Sequence, residues 1–291
     1  MIARPLIATV LAFAPLAAPA AVSTIDYDRL TVLPALTSAG TGKDWRANGV
    51  VTPAKNEGPC DASWAFGVSG LTESHHAIST ATLVSLSEQE LVDCTGAGSG
   101  CSGGSPVDAM RAVIRRGGLT FASNYPYTGN EGVCKAVTPK ATIPGAGRVP
   151  PGDDASLQAY VDKGPVMALV GESVAFDAYK GGVFAGPCGT TPTRAVLIVG
   201  YANNGTDDYW IVKNSRGASW GVGGYIYIKR HANLCGIENY AVAVSDDALP
   251  TPSRSAQAIP TLSEWSVYAL ILGFAALGFA ALRVAGRKAS G

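Results

Sequence analysis

Apolar positions follow two different rhythms along this chain of 291 residues. In the first half, Trp64, Phe66, Val68, Leu71 and Ile78 recur at near-helical spacing and predict a helix from Ser63 to about Ile78. Ser87-Glu88-Gln89-Glu90 has the form of a capping box and predicts a short helix running toward Cys94. A third helix is expected after Ser105, with Ser105 as N-cap, Pro106 at the first helical position and Gly117-Gly118 as the stop. Beyond a helix predicted over Ala155 to Lys163 and ended by Gly164, the texture turns to strands: PVMALV, RAVLIVGY, DYWIVKN, GYIYIKR and ENYAVAV. Asn204-Gly205 between two of these runs signals a hairpin. A helical half followed by a β half, joined by short turns, predicts an α+β protein of two lobes with a cleft between them.

Both ends carry a different kind of apolar segment. Arg4, an uncharged apolar stretch to Leu16 and the small residues Ala18-Pro19-Ala20 have the order of a secretory signal peptide, expected to span residues 1–20. From Ser266 to Leu282 the chain is again uncharged, and Arg283, Arg287 and Lys288 follow. At about 1.5 Å per residue, 266–282 is just long enough for a transmembrane helix, with the basic end cytoplasmic. Residues 246–258, rich in Ser, Pro, Ala and Asp, read as a flexible linker.

Composition narrows the function. Lys plus Arg and Asp plus Glu balance at 22 each, and no basic run precedes the last residues, so nucleic acid is not an expected partner. With 47% apolar residues most of the chain should fold. Six cysteines in an exported chain make three disulfides the default. Metal binding is the weaker reading, because no CxxC pair exists and the histidines are only His75, His76 and His231; no metal or cofactor is expected.

The segments DWRANGVVTPAKNEGPCDASWAF, SLSEQELVDC, CSGG, YPYTG, GPCG, RAVLIVGY, YWIVKNSRGASWGVGGYIYIKR and CGIENYAV occur in the order found in papain-type cysteine peptidases, and the chain from about residue 36 to 245 resembles that family. The resemblance implies a papain-like two-lobed fold, a helical left lobe and a β-barrel-like right lobe flanking a peptide-binding cleft. It also implies the disulfides Cys60 with Cys101, Cys94 with Cys134 and Cys188 with Cys235, which use every cysteine. The end of the chain, with Ile259-Pro260-Thr261-Leu262, Glu264-Trp265, an apolar stretch and a basic tail, resembles the IPTL sorting signals of Gram-negative bacterial surface proteins. That second resemblance makes 259–291 a signal for an exosortase-type enzyme, with a membrane tether first and a surface or secreted location after sorting.

The family's chemistry needs a cysteine nucleophile, a histidine base, an asparagine to orient it and a glutamine oxyanion donor. By motif, those positions here hold Ser63, Arg194, Asn214 and Glu57, and Arg216 stands where an aromatic usually shields the pair. Serine can be a nucleophile, but arginine keeps its proton and cannot act as its base. His75 and His76 lie roughly 18 Å or more along the same predicted helix, and His231 follows a distant strand. Only about 20 residues separate Ala20 from Asp44, so no long inhibitory propeptide is expected.

The domain is therefore expected to be catalytically inactive, a pseudopeptidase binding peptide or protein. A residual Ser63 hydrolase and a purely structural surface protein are the alternatives. Glu57 and Arg194 either pair across the cleft, with Asp61 and Arg216 as further partners, or are independent solvated side chains. Gly103 and Gly104 correspond to the family's strand-pairing edge for substrate, or serve only a turn beside the disulfide.

Overall fold

The computed structural model describes residues 27–96 and 100–246. The signal segment 1–20, the linker beyond Asp246 and the C-terminal segment with its apolar stretch 266–282 lie outside the described residues. Among the described residues, no helix is long and apolar enough to cross a membrane.

Helix α1 runs over Ser63–Thr80 and ends at Ala81, whose φ of 57° is left-handed. Its fit to the protein depends on small residues. A Cβ on Gly67 would stand 3.2 Å from the Cβ of Ala195, and one on Gly70 3.2 Å from Leu197, so glycine lets the helix lie close against the sheet. At its first turn, Trp64 is fully buried, and a Cβ on Gly104 would come within 2.6 Å of the indole.

Helix α2, Glu88–Cys94, starts as expected with the Ser87 hydroxyl accepting the N–H of Glu90 at 3.0 Å. The reciprocal half of the capping box does not form. Glu90 instead accepts from the Thr120 N–H at 2.8 Å and Arg116 Nε at 3.1 Å, while the Ser87 N–H donates to the Thr120 carbonyl. A tertiary partner has replaced the local one. Helix α3, Pro106–Arg115, has Ser105 as its cap and stops before Gly117 and Gly118, with φ of 76° and 129°. Helix α4, Asp154–Lys163, is capped by Asp153, and α5 is one turn, Val174–Asp177.

The strands are β1 Lys43–Asp44, β2 Ala146–Arg148, β3 Val166–Gly171, β4 Val183–Phe184, β5 Gly189–Asn203, β6 Asp208–Lys213, β7 Tyr225–Lys229 and β8 Ala241–Val244. They pair in the order β2-β8-β3-β5-β6-β7-β4, with β1 also on β5. Every pairing is antiparallel except β4 with β7. The hairpin between β5 and β6 forms at 204–207, where Asn204 Oδ1 accepts the N–H groups of Thr206 and Asp207 at 2.9 and 2.8 Å.

β5 is longer than the run RAVLIVGY, and its alternation assigns its side chains to two cores. Ala195, Leu197 and Val199 face the core shared with α1, α2 and α3; Val196 and Ile198 face a second core with Phe176, Trp210 and Ile226. A helical side and a β side thus meet along one strand, and Arg194 stands at the start of that alternation. Cys60–Cys101, Cys94–Cys134 and Cys188–Cys235 are bonded, with no free cysteine. Loops of 40 to 47 residues make each bond worth about 4 kcal/mol in the chain-entropy account.

Candidate functional site

Ser63 opens α1 with none of its surface exposed. Its Oγ accepts the N–H of Ala195 at 3.2 Å, so the hydroxyl is tied to the backbone of β5. No histidine contacts it: His231 lies against Asp154 and Asp208 on the β side, and His75 and His76 sit further along α1.

Arg194 lies on β5 opposite Val170 of β3. The guanidinium is buried and held on two sides, with Nε donating to Glu172 and Nη1 donating to Glu57 and, at 3.2 Å, to Ser215 Oγ. Burial works against its charge, but the carboxylates of Glu57 and Glu172 outweigh that and hold the guanidinium more firmly protonated than usual. Glu57 and Arg194 are therefore paired rather than independent. Glu172 also accepts from Arg216 Nη2 at 2.7 Å, and the same nitrogen reaches Asp177 at 2.8 Å.

The remaining positions behave differently. Asn214 is buried, but its Oδ1 accepts the Ser215 N–H at 2.8 Å and its Nδ2 has no partner. It makes no hydrogen bond to Arg194. Glu57 is fixed through its backbone, its N–H donating to the Ser215 carbonyl at 2.9 Å and its carbonyl accepting from Tyr127 at 2.8 Å, while its Oε2 is buried without a partner. Asp61, a candidate partner of the arginines, makes no side-chain hydrogen bond or ion pair among the described residues. Burial raises the pKa of Asp61; Arg194 opposes that and Glu172 adds to it.

Glu57 and Arg194 form part of a shared wall between two hollows. One, of about 490 Å³, also touches Asp61, Glu172 and Asp177; the other, of about 390 Å³, touches Lys180 and Trp220. Gly103 and Gly104 line neither hollow. A φ of 99° at Gly103 and the Trp64 indole against Gly104 each require glycine, which accounts for both residues structurally.

The motif positions Glu57, Ser63, Arg194 and Asn214 thus gather at one place. Glu172, Asp177 and Ser215 were not singled out from sequence. Ser215 is adjacent to Asn214 and could have been included from the Asn-Ser motif; an acidic residue after an apolar strand, such as Glu172, has no comparable signal. Among the described residues, no cluster of His, Cys, Asp and Glu is arranged to hold a metal ion.

A helical side and a β side, with Ser63 at a helix start hydrogen-bonded to the strand that carries Arg194, define a two-lobed α+β architecture. The chain belongs to the papain family of cysteine proteases, whose model matches residues 40–245, and the IPTL-CTERM motif matches residues 257–283. Zingipain-2 of Zingiber officinale is 40% identical over 68% of this chain and 93% of its own length. Cysteine endopeptidase Rep1 of Oryza sativa subsp. japonica is 43% identical over 73% of this chain and 61% of its own. The chain therefore spans nearly all of one plant relative and under two thirds of another.

Among solved structures, the bromelain protease of Ananas comosus in complex with the E64 inhibitor is 38% identical with a TM-score of 0.69, covering 72% of this chain and 100% of that one. The Carica candamarcensis cysteine protease CMS1MS2 in complex with E-64 is 40% identical with a TM-score of 0.67, covering 72% and 99%. The papain-like α+β fold is shared with these proteases.

Proposed function

We propose that this chain is an exported pseudopeptidase, a papain-family domain that binds an extended peptide or protein in its cleft and does not cleave it. The observation that carries this reading is Arg194. It occupies the base position and is ion-paired to Glu57 and Glu172, and a guanidinium cannot take a proton from a nucleophile at any working pH. Loss of the base alone costs on the order of 10⁶ in turnover in the subtilisin comparison. Two further changes act in the same direction. The Ser63 hydroxyl is buried and engaged by Ala195, and Glu57 sets a carboxylate where a developing oxyanion needs a donor.

Binding is supported by the two open hollows that flank Glu57 and Arg194 and leave room for a ligand there. In this reading a signal segment 1–20, a linker 246–258 and a sorting signal 259–291 carry the domain first to a membrane tether through 266–282. After an exosortase-type enzyme acts on the signal, the domain is at the cell surface or secreted.

The test is turnover by the purified mature protein on broad peptide and ester substrates, beside Ser63→Ala. No turnover in either is expected; turnover abolished by Ser63→Ala would establish the hydrolase instead. The triple change Ser63→Cys, Arg194→His, Glu57→Gln is expected to produce peptidase activity. Its failure, together with no peptide binding by the native chain, would leave only a structural role.

A further inference from the structure

We propose that the cleft holds a site for a cationic side chain, lysine or arginine, of a bound peptide, and that Asp61 is its carboxylate; this deepens the peptide-binding reading above and rests on it. The hollow of about 490 Å³ beside Arg194 is lined by four carboxylates, Glu57, Asp61, Glu172 and Asp177, against two guanidinium groups. Both guanidinium groups are already committed. Arg194 is held by Glu57 and Glu172, and Arg216 by Glu172 and Asp177. Asp61 is left as the acid of the hollow without an ion pair, and the protein supplies it no donor.

A second, independent feature points the same way. Glu57, a side chain only 6% exposed, lines the same hollow and carries an oxygen, Oε2, with no partner. Burial already disfavours charge on both acids, Asp61 adds to that cost at Glu57 and Glu172 adds to it at Asp61, so an added cation would relieve both.

The site is also built. The Asp61 N–H donates to the Cys101 carbonyl at 3.2 Å, and Cys60 beside it is bonded to Cys101, so the carboxylate stands on a cross-linked backbone. Val174 lines the same hollow with 86% of its surface exposed, offering an apolar surface for the methylene stem of lysine or arginine.

The experiment is calorimetric titration of the mature protein with an acetylated alanine pentapeptide carrying a central arginine, its citrulline counterpart, and Nα-acetyl-arginine amide. Wild type is compared with Asp61→Asn and with Asp207→Asn on the distant hairpin. Arginine is expected to bind at least about ten-fold tighter than citrulline, with that preference lost in Asp61→Asn, kept in Asp207→Asn and reduced by raised salt. Equal binding of the two peptides, or a preference that survives Asp61→Asn, overturns the cation site and leaves peptide binding standing. If neither peptide binds, the peptide-binding reading falls, and the amide decides the site: binding that needs Asp61 retains it, and no binding overturns it.

Discussion

Two buried charged clusters share one stretch of chain, and they are built to different standards. Lys213 belongs to the first, with Thr52, Lys55, Glu73 and Glu88; Ser215 and Arg216 belong to the second, with Glu57, Glu172 and Arg194. In the first, Lys55 donates to Glu73 at 2.7 Å, to Glu88 at 2.6 Å and to the Leu86 carbonyl at 3.1 Å. Thr52 donates to Glu73, Lys213 donates to Thr52, and Ser69 donates to Glu88. None of the four charged residues keeps a buried atom without a partner. In the second, Glu57 Oε2, Asn214 Nδ2 and Arg216 Nε are all left over. A complete network fixes one arrangement of the two sides, whereas an incomplete one leaves buried polar atoms whose desolvation nothing offsets. The cleft cluster holds the motif positions Glu57 and Arg194, and the interior cluster joins Lys55 and Lys213 to Glu73 and Glu88.

The largest expected effect is in the interior cluster. Glu88→Ala leaves an uncompensated buried lysine charge and is expected to cost roughly 3–5 kcal/mol in urea unfolding. Arg194→Met alone is expected to cost about 3 kcal/mol, the lower end because the cleft opens onto a hollow where water can reach the stranded carboxylates. Adding Glu57→Gln and Glu172→Gln to Arg194→Met should bring stability back to within about 1 kcal/mol of the native protein, since a whole ion cluster can be replaced at little cost. Equal losses from the single and triple changes would show that the cleft pairs are as structural as the interior ones.

What could be read from sequence divides along the same line. Ser63, Arg194, Glu57 and Asn214 were legible because each sits inside a motif whose other letters are intact, such as Trp64-Ala65-Phe66 after Ser63. Opposite charges at facing positions left the pairing of Glu57 with Arg194 as one of two readings, and the structure has the pair. The role of Glu172 was not legible, because it comes from the end of β3 and no periodicity marks which acid turns into the cleft. Asp61 and Arg216 are both expected as further partners of the Glu57 and Arg194 pair, yet Arg216 pairs with Glu172 and Asp177 and Asp61 with neither arginine. Local rules also lost to tertiary ones at Glu90, whose carboxylate reaches Thr120 rather than Ser87. Strands of two or three residues, β1, β2 and β4, are too short to show alternation at all.

A smaller effect should separate the clusters by pH. Burial lowers the pKa of Lys213 to about 8, with Glu73 opposing the shift. In the unfolded chain the same amine titrates near about 10.4. Between these values the unfolded state holds a proton that the folded state has released, so this residue makes the protein more stable as pH rises from about 8 to about 10, at up to roughly 1.4 kcal/mol per pH unit. The gain is lost as pH falls through the folded value. Subtracting the urea stability of Lys213→Met from that of the native protein across this range should give that positive slope; a flat difference would mean that Lys213 is solvated and the interior cluster is not closed.

The smallest effect is expected at Asp61, and it sharpens the comparison most. Every other carboxylate of the cleft has a cation to lose, so neutralising it disturbs the fold, whereas Asp61 has none. Asp61→Asn should change urea stability by less than about 0.5 kcal/mol. Its sign at neutral pH should be a slight gain, because the folded protein raises the pKa of this carboxyl and so disfavours its charged form. The gain should disappear as pH falls below the ordinary aspartate range, where the native carboxyl is protonated in both states. Asp177→Asn, which removes a partner of Arg216, serves as the contrast and should destabilise at neutral pH. A loss at Asp61 as large as at Asp177 would mean that Asp61 already has a cationic partner within the protein, and the vacancy that a ligand would fill would not exist.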